Sequence, residues 1–277
     1  ALASAVAVLV WLAAAPVAAF APVKIDPGLA AAIQEWSNSD MTANQWALNA
    51  IHAPQAWTTT TGSGVVVAVI DTGLDLPPPD IVGPTVSPGY VWQLGTEAGR
   101  TVGHLRFATS TPGLVQQVDL AGHGTHVAGV VAGNANGHGI TGVAPAARIL
   151  PINVAATLGE VATFAQFADA FTAAMDTAVR DGARVVNVSL GGAELELPWQ
   201  AQPRSDKERR AINATRRICA AIQRARDAGV VTVVAAGNTA HDGNQRSDPG
   251  VCPAAVQVGA VGPSLQRAYF SNYNAGV

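Results

Sequence analysis

The sequence predicts an α/β fold with a mostly parallel central sheet flanked by helices. The composition permits such a fold, because a chain of 277 residues that is 49% hydrophobic and 13% charged can form a sizeable buried core. Next, five short apolar segments recur past residue 40 without polar alternation, at 65–70, 147–152, 183–190, 230–237 and 255–261. Helical patterns lie between them. Since a strand covered on both faces is apolar throughout, these segments are expected to form a parallel sheet.

Two of the intervening segments have helical periodicity. The first carries apolar residues at helical spacing, with Gly182 as a stop signal; these residues are Phe164, Phe167, Phe171, Ala174, Met175 and Ala178. The second is predicted from Asp206 to Ala228, before Gly229. Strands that alternate with helices imply right-handed crossovers, and the ligand crevice of such a sheet lies at the carboxyl ends of its strands.

The N-terminal segment predicts export. Residues 1–21 are apolar and end in small residues, as a secretory signal peptide does before its cleavage site, and no charge occurs before Lys24. The chain has no initiator Met and no basic residue ahead of the apolar stretch, so this end is expected to be clipped. A membrane span of ~20 apolar residues is the alternative, which Pro16 and the alanine content disfavour. Residues 22–40 would then be a short pro-segment or linker, and the protein secreted or periplasmic.

Charge limits the partners of the remaining domain, residues 41–277. A formal net charge of −3 and a pI near 6.1 give no electrostatic reason to expect nucleic acid or an anionic membrane surface. On this ground small neutral ligands and peptides both stay open. We expect no stable membrane association after signal removal, and a monomer.

Asp71 ends the first apolar segment, in "VAVIDTGLD", and its Asp-Thr-Gly allows three interpretations. It could be an ordinary turn aspartate, half of an aspartic-protease dyad, or a carboxylate that orients a histidine. A dyad needs two carboxylates that share a proton, hence a second Asp-Thr/Ser-Gly or a symmetric dimer. The sequence has no second copy.

His123 supplies the histidine, in "AGHGTHVAGVVAG", where it follows a turn and opens a small-residue segment expected to be a tightly packed helix. A zinc site formed with His126 is the alternative. The segment lacks the Glu of His-Glu-x-x-His and a third ligand is not indicated, so His126 is expected to be a packed helix residue.

Six segments follow one another in the order in which similar segments occur in a known protein family: "VAVIDTGLD", "GHGTHVAG", "NGHGITGVAP", "VVNVSLGG", "VVAAGN" and "AYFSNYNAGV". Together, over about residues 41–277, they resemble the subtilisin-like serine proteases. The resemblance implies a three-layer fold in which Asp71 is the orienting acid, His123 the general base and Asn238 the oxyanion donor.

The resemblance also implies a protein or peptide substrate and residues that bind it. Two segments would line the specificity pocket and pair with an extended peptide, namely Ser189, Leu190, Gly191 and Ala235, Ala236, Gly237. Asp80 and Asn136 would hold a structural calcium ion. Cys219 and Cys252 are the only cysteines, and an oxidising compartment favours a disulfide between them over two buried free thiols.

The family's Gly-Thr-Ser-x-Ala-x-Pro block, which carries the nucleophile, has no counterpart up to Val277. The prediction is therefore a secreted serine endopeptidase whose chain is truncated before the serine and inactive as it stands, with one apolar sheet face uncovered. The alternative is an inactive subtilisin-like peptide-binding module. Asp71 and His123 are 52 residues apart, which predicts an insertion near the cleft at 87–117.

Overall fold

The computed structural model describes residues 45–74, 89–97, 100–108, 119, 121–137, 139–154, 164–190, 202–203, 205–240 and 249–273. The predicted signal peptide and the predicted segment 22–40 lie outside these residues. Among the described helices, none combines the length and apolar character needed to cross a bilayer.

A seven-stranded sheet organises the described chain. Its strands are β1 (Val66–Asp71), β2 (Gly89–Glu97), β3 (Arg100–Ala108), β4 (Arg148–Asn153), β5 (Val185–Val188), β6 (Val231–Ala235) and β7 (Val256–Val258). Their spatial order is β3-β2-β4-β1-β5-β6-β7, and every neighbouring pair is parallel except β2 with β3. All five predicted apolar segments contain strands, with boundaries shifted by a few residues.

In the described residues, five helices accompany the sheet: α1 (Trp46–Ala50), α2 (Ala53–Trp57), α3 (His123–Ala132), α4 (Phe164–Arg180) and α5 (Asp206–Asp227). The helices predicted around Phe171 and from Asp206 are confirmed as α4 and α5. Gly182 and Gly229, the predicted stops, adopt positive φ angles of 81° and 78°, a conformation that glycine reaches without steric cost.

The sheet separates two apolar cores. Ala68 and Ile70 of β1 join the larger core, which α4 and α5 cover. Val67 and Val69 point to the opposite face, where they pack with the small residues of α3. Because consecutive side chains of β1 enter different cores, the strand is apolar throughout, and the predicted three-layer arrangement is confirmed.

The expected insertion contains an antiparallel hairpin. Strands β2 and β3 pair from Gly89 with Ala108 to Glu97 with Arg100. Only Tyr90 and Val91 pair with β4, opposite Ile152 and Asn153. Since β2 runs parallel to β4, the rest of the hairpin extends past the carboxyl end of β4. The insertion therefore lies at the edge where ligands bind in this class of sheet.

One face of the sheet is exposed beyond the reach of α3. Val231, Val256 and Val258 are about half exposed, and the strand register places them on the same face as Val185. The apolar surface expected on one sheet face is therefore present in the structure.

A disulfide joins Cys219 of α5 to Cys252, in the segment before β7, as predicted. Cys252 is buried, and both cysteines pack with the larger core. The bond closes a loop of 33 residues that contains β6, and so it links a covering helix to the far end of the sheet.

Replacing both cysteines by serine should lower the free energy of unfolding by about 2–4 kcal/mol, because the unfolded chain regains the entropy of this loop. Urea denaturation of the two proteins measures the difference. Ala220→Ser, an exposed change beside Cys219, is the matched control and should stay within about 0.5 kcal/mol of wild type. Equal stability of the wild type and the double variant would contradict the role given to the bond.

Candidate active site

The site begins with a hydrogen bond between a strand end and a helix start. Asp71 is the last residue of β1, and His123 is the first residue of α3. The Nδ1 atom of His123 lies 2.7 Å from Oδ1 of Asp71. The Asp71 side chain is fully buried, whereas that of His123 is 23% exposed. The carboxylate is thus removed from water while the imidazole stays accessible.

This contact fixes the chemical state of the ring. A carboxylate can only accept, so Nδ1 of His123 donates and Nε2 of the neutral ring is the acceptor. The hydrogen bond with Asp71 raises the pKa of His123, burial opposes this, and the negative charges of Asp71 and Asp119 raise it further. The imidazole is consequently prepared to accept a proton at Nε2.

Two glycines allow α3 to start at this point. Gly122, the residue before the helix, has a φ of 70°, and Gly124 is buried against the turn after β1. A Cβ atom at Gly124 would lie 2.2 Å from the carbonyl oxygen of Gly73 and 3.1 Å from Cβ of Asp71. The backbone of the helix therefore approaches the strand end as closely as its atoms permit.

Sequence reasoning missed Asp119, which is also buried. Its carboxylate accepts hydrogen bonds from the backbone N–H groups of Ala121, Gly122 and Thr125. Thr72, next to Asp71, donates its hydroxyl to the same carboxylate at 2.7 Å. An Asp ahead of the Gly-rich turn of "DLAGHGT" was the available signal, since acidic residues favour helix N-termini.

Asn238 follows the carboxyl end of β6 and is exposed. One strand, β5, separates β6 from β1, so Asn238 follows β6 at the same edge of the sheet as Asp71. Its neighbours are fixed by Asn272: the Asn272 N–H donates to the Gly237 carbonyl, and its side-chain oxygen accepts from the Thr239 N–H at 2.9 Å. Sequence reasoning missed this buried asparagine.

The two predicted peptide-binding segments differ in whether their backbone groups are already bonded within the fold. Ser189 and Leu190 follow β5 on the same edge and are half-buried, while Gly191 lies outside the described residues. In the second segment, Ala235 is half-buried at the end of β6. Ala236 is buried, and its N–H donates to the Val258 carbonyl at 2.8 Å. Ala236 and Gly237 therefore use these backbone groups to hold the fold.

The predicted metal ligands are not brought together among the described residues. Asp80 lies outside them, and Asn136 is exposed on the loop after α3. Gln45 also reaches this loop, but its side chain makes two hydrogen bonds of 2.9 Å with the backbone of Thr141. Since Asp80, the predicted carboxylate ligand, lies outside the described residues, the calcium site stays a prediction.

The zinc alternative is not supported by the geometry. His126 keeps an exposed surface, although burial lowers the pKa of its imidazole. Nδ1 of His123 is already bonded to Asp71. In the part of the chain that the structure describes, no three His, Cys, Asp or Glu residues are grouped to hold a metal.

Comparisons with known proteins give a consistent result. The model of the subtilase family, peptidase family S8, matches residues 62–277. The chain is 31% identical to Fervidolysin of Fervidobacterium pennivorans, over 91% of this chain and 32% of that protein. It is 30% identical to an alkaline protease of Shouchella clausii, over 92% of this chain and 55% of that protein. It is 32% identical to Subtilisin Savinase of Lederbergia lenta over 84% and 69%. The chain thus spans about a third of the first relative and about half of the second.

Solved structures resemble the fold. The prenylagaramide maturation protease PagA superposes with a TM-score of 0.56 and 23% identity, over 81% of this chain and 64% of that one. MycP1 with its N-terminal propeptide removed gives a TM-score of 0.54 and 24% identity, over 82% and 66%. At these identities the likeness concerns the fold alone.

Gly124→Ala should lower the free energy of unfolding by about 1–3 kcal/mol, because the added Cβ would overlap the Gly73 carbonyl and push α3 away from Asp71. Gly262→Ala is the matched control, since a Cβ there would meet nothing within 4 Å. It should stay within about 1 kcal/mol of wild type. If both variants unfold at the wild-type urea concentration, the close approach inferred here does not exist.

Proposed function

Since the chain belongs to the subtilase family, we propose that the protein is a secreted serine endopeptidase that hydrolyses peptide bonds through an Asp-His-Ser triad. The 2.7 Å contact between Nδ1 of His123 and the buried carboxylate of Asp71 is the observation that carries this proposal. An ordinary turn aspartate would remain in contact with water, whereas the side chain of Asp71 is fully buried against the imidazole.

His123 is the proposed general base. Its Nε2 accepts the proton of the nucleophilic hydroxyl, and the ring then donates this proton to the leaving amine. Asp71 keeps the required tautomer and stabilises the imidazolium that forms between the two steps. Asp71 itself does not share a proton with a second acid, which separates this mechanism from that of an aspartic protease.

Asn238 is the proposed oxyanion donor. Its position on the same edge of the sheet supports this role, and Asn272 holds the residues on both sides of it. Loss of such a donor reduces kcat by ~10²–10³ in subtilisin, a member of the same family for which the value is already known. The exposed carboxamide of Asn238 is free to turn toward substrate, while its backbone is restrained.

The substrate is proposed to be an extended polypeptide. Ser189 and Leu190 continue β5 at the edge of the sheet, where a peptide can pair with their backbone. The hairpin of β2 and β3 extends past the same edge, on the other side of β1, and would contact residues of a long substrate beyond the cleavage site.

The nucleophile is not assigned to a residue of this sequence. No segment of the 277 residues matches the family's serine block, and Ser189 follows a strand without the turn-to-helix context of a nucleophile. Asn187 donates its side-chain amide to the Ser189 hydroxyl. The second candidate function is a subtilisin-like module that binds peptides without turnover.

A structural calcium ion bound by Asp80 and Asn136 stays a proposal drawn from the resemblance. The loop at 133–142 that would supply carbonyl ligands is closed by a hydrogen bond from the Gly142 N–H to the Gly133 carbonyl, 2.9 Å long. Chelation with EGTA would lower the melting temperature if such an ion were bound, and an unchanged melting temperature would remove calcium from the proposal.

The isolated 277-residue chain should neither turn over peptide substrates nor react covalently with a serine-directed phosphonate, because it holds the acid, the base and the amide donor without the nucleophile. Mass spectrometry of the treated chain provides the measurement. A phosphonate adduct on any serine, with activity lost in step, would show that the nucleophile has been overlooked.

The same chain should still bind peptides if the binding segments are correctly placed. Fluorescence anisotropy of a labelled peptide distinguishes the two candidate functions once the protein is also produced from its whole coding region. Turnover by the whole protein supports the endopeptidase, whereas binding without turnover in both forms supports the module.

In a form that turns over substrate, Asp71→Asn should lower kcat by ~10⁴, because the imidazole would adopt the wrong tautomer. His123→Ala should be at least as damaging. Val130→Ala, a change at an exposed position two turns further along α3, is the matched control and should leave kcat within about twofold of wild type.

The pH profile gives an independent test of the base. Neutral imidazole is the active form, and Asp71 raises the pKa of His123 above its ordinary value. The rate should therefore increase with pH through that raised pKa and then reach a plateau. Stopped assays from acid to mildly alkaline pH measure this; an acid optimum with near-normal activity in His123→Ala would contradict the assignment.

A further inference from the structure

Asp119 is a buried carboxylate for which the proposed mechanism has no role. It is 6% exposed and lies four residues before His123. A carboxylate removed from water is costly unless several donors satisfy it. Five donors do so here: Oδ1 accepts from Ala121 N at 3.2 Å, Gly122 N at 2.9 Å and the Thr72 hydroxyl at 2.7 Å, and Oδ2 accepts from the N–H and hydroxyl of Thr125, both at 2.8 Å.

These donors come from two different elements. Ala121, Gly122 and Thr125 belong to the turn before α3 and to its first helical turn. Thr72 directly follows β1. Asp119 therefore bonds the start of the helix to the end of the strand, in addition to the contact between His123 and Asp71.

The Thr72 hydroxyl is the link between the two carboxylates. It has one proton, and its oxygen is 2.7 Å from Oδ1 of Asp119 but 3.2 Å from Oδ1 of Asp71, so the shorter distance identifies Asp119 as the acceptor. The same oxygen accepts the Gly124 N–H at 2.9 Å, and the Thr72 N–H donates to Asp71 at 2.7 Å. Thr72 thus contacts both carboxylates and the residue after His123.

A support of this kind is needed because the helix has no side chain at its N-cap. Gly122 occupies that position and makes no side-chain hydrogen bond. Without Asp119, the N–H groups of Ala121 and Gly122 before α3 and that of Thr125 in its first turn would lose these acceptors, and the first turn, which carries the imidazole, would loosen.

We propose that Thr72 and Asp119 are positioning residues, which hold the first turn of α3 so that the His123 imidazole stays hydrogen-bonded to Asp71. This inference rests on the proposed function of His123 as the base, but it concerns the orientation of the ring before any substrate binds.

The ionisable groups that face the imidazole come from the elements packed around it. Asp71 faces it from β1, Asp119 from the preceding turn, and His126 from the next turn of α3. Removal of the Asp119 charge therefore acts on His123 in one direction, toward a lower pKa, since a negative charge favours the imidazolium.

Nitrogen-15 NMR of histidine-labelled protein tests the proposal in the 277-residue chain itself. The two ring nitrogen shifts report the tautomer, a far-downfield proton reports the Nδ1–H bond to Asp71, and a pH titration reports the midpoint. His123→Gln identifies the signals of this ring among the six histidines.

Thr72→Val keeps the side-chain shape but removes the hydroxyl, whereas Thr72→Ser keeps the hydroxyl. We expect the Nδ1–H signal to be lost or broadened in Thr72→Val and retained in Thr72→Ser. In Asp119→Asn, we expect the same loss together with a lower titration midpoint. Ser205→Ala is the matched control, since it removes the side-chain cap of the distant helix α5 and should leave the His123 signals unchanged.

Wild-type His123 signals in a folded Thr72→Val variant and a folded Asp119→Asn variant would overturn the proposal. If Asp119→Asn does not fold, the comparison of Thr72→Val with Thr72→Ser tests the proposal by itself. Failure of Thr72→Val to fold would also count against it, because an orienting role requires that the chain fold without the hydroxyl. If the wild-type ring shows the Nδ1–H bond but the whole protein is inactive, the proposed function fails while the positioning role stands.

Discussion

A fully buried carboxylate at the end of the central strand constrains the arrangement around it. Asp71 ends β1, which lies between β4 and β5 with a separate core on each of its faces. A charge in such a place destabilises the fold by several kcal/mol unless it is paired and hydrogen-bonded. The fold must therefore bring donors to this position, and the start of α3 supplies the imidazole. The packing of α3 against β1 and the state of the His123 imidazole consequently depend on the same contact.

The close approach of α3 follows from this requirement. A helix with larger residues on its inner face could not bring His123 within 2.7 Å of the strand end. Its buried residues are accordingly small: Gly124, Ala128, Gly129 and Ala132. They form few apolar contacts individually, but they let the helix axis come near the sheet. The same geometry leaves the adjoining face of β6 and β7 uncovered by α3, where Val231 and Val258 are half exposed.

The sequence was sufficient to predict features that depend on local pattern. Apolar segments identified the five parallel strands, Gly182 and Gly229 marked helix ends, and the family motifs singled out Asp71 and His123. The hairpin was missed, although Gly99 between two nine-residue strands was a turn signal. Asp119 carried a local signal, an acidic residue ahead of a Gly-rich turn, but its bond from Thr72 arises only in the folded chain, as does the bond between Asn272 and Thr239. Exposure of His126 likewise depends on how the helix is rotated against the sheet.

The position of β1 has a consequence for how the chain folds. Among the described strands it comes first along the chain, yet it occupies the interior of the sheet, and its two neighbours begin at Arg148 and Val185. Its backbone groups therefore stay unpaired until much of the chain has emerged, and such long-range parallel pairing is slow because the entropy of large loops is lost first. During that interval an apolar strand is open to association with other chains. The contact between Asp71 and His123 joins residues that are 52 positions apart, so it too requires the closure of a long loop.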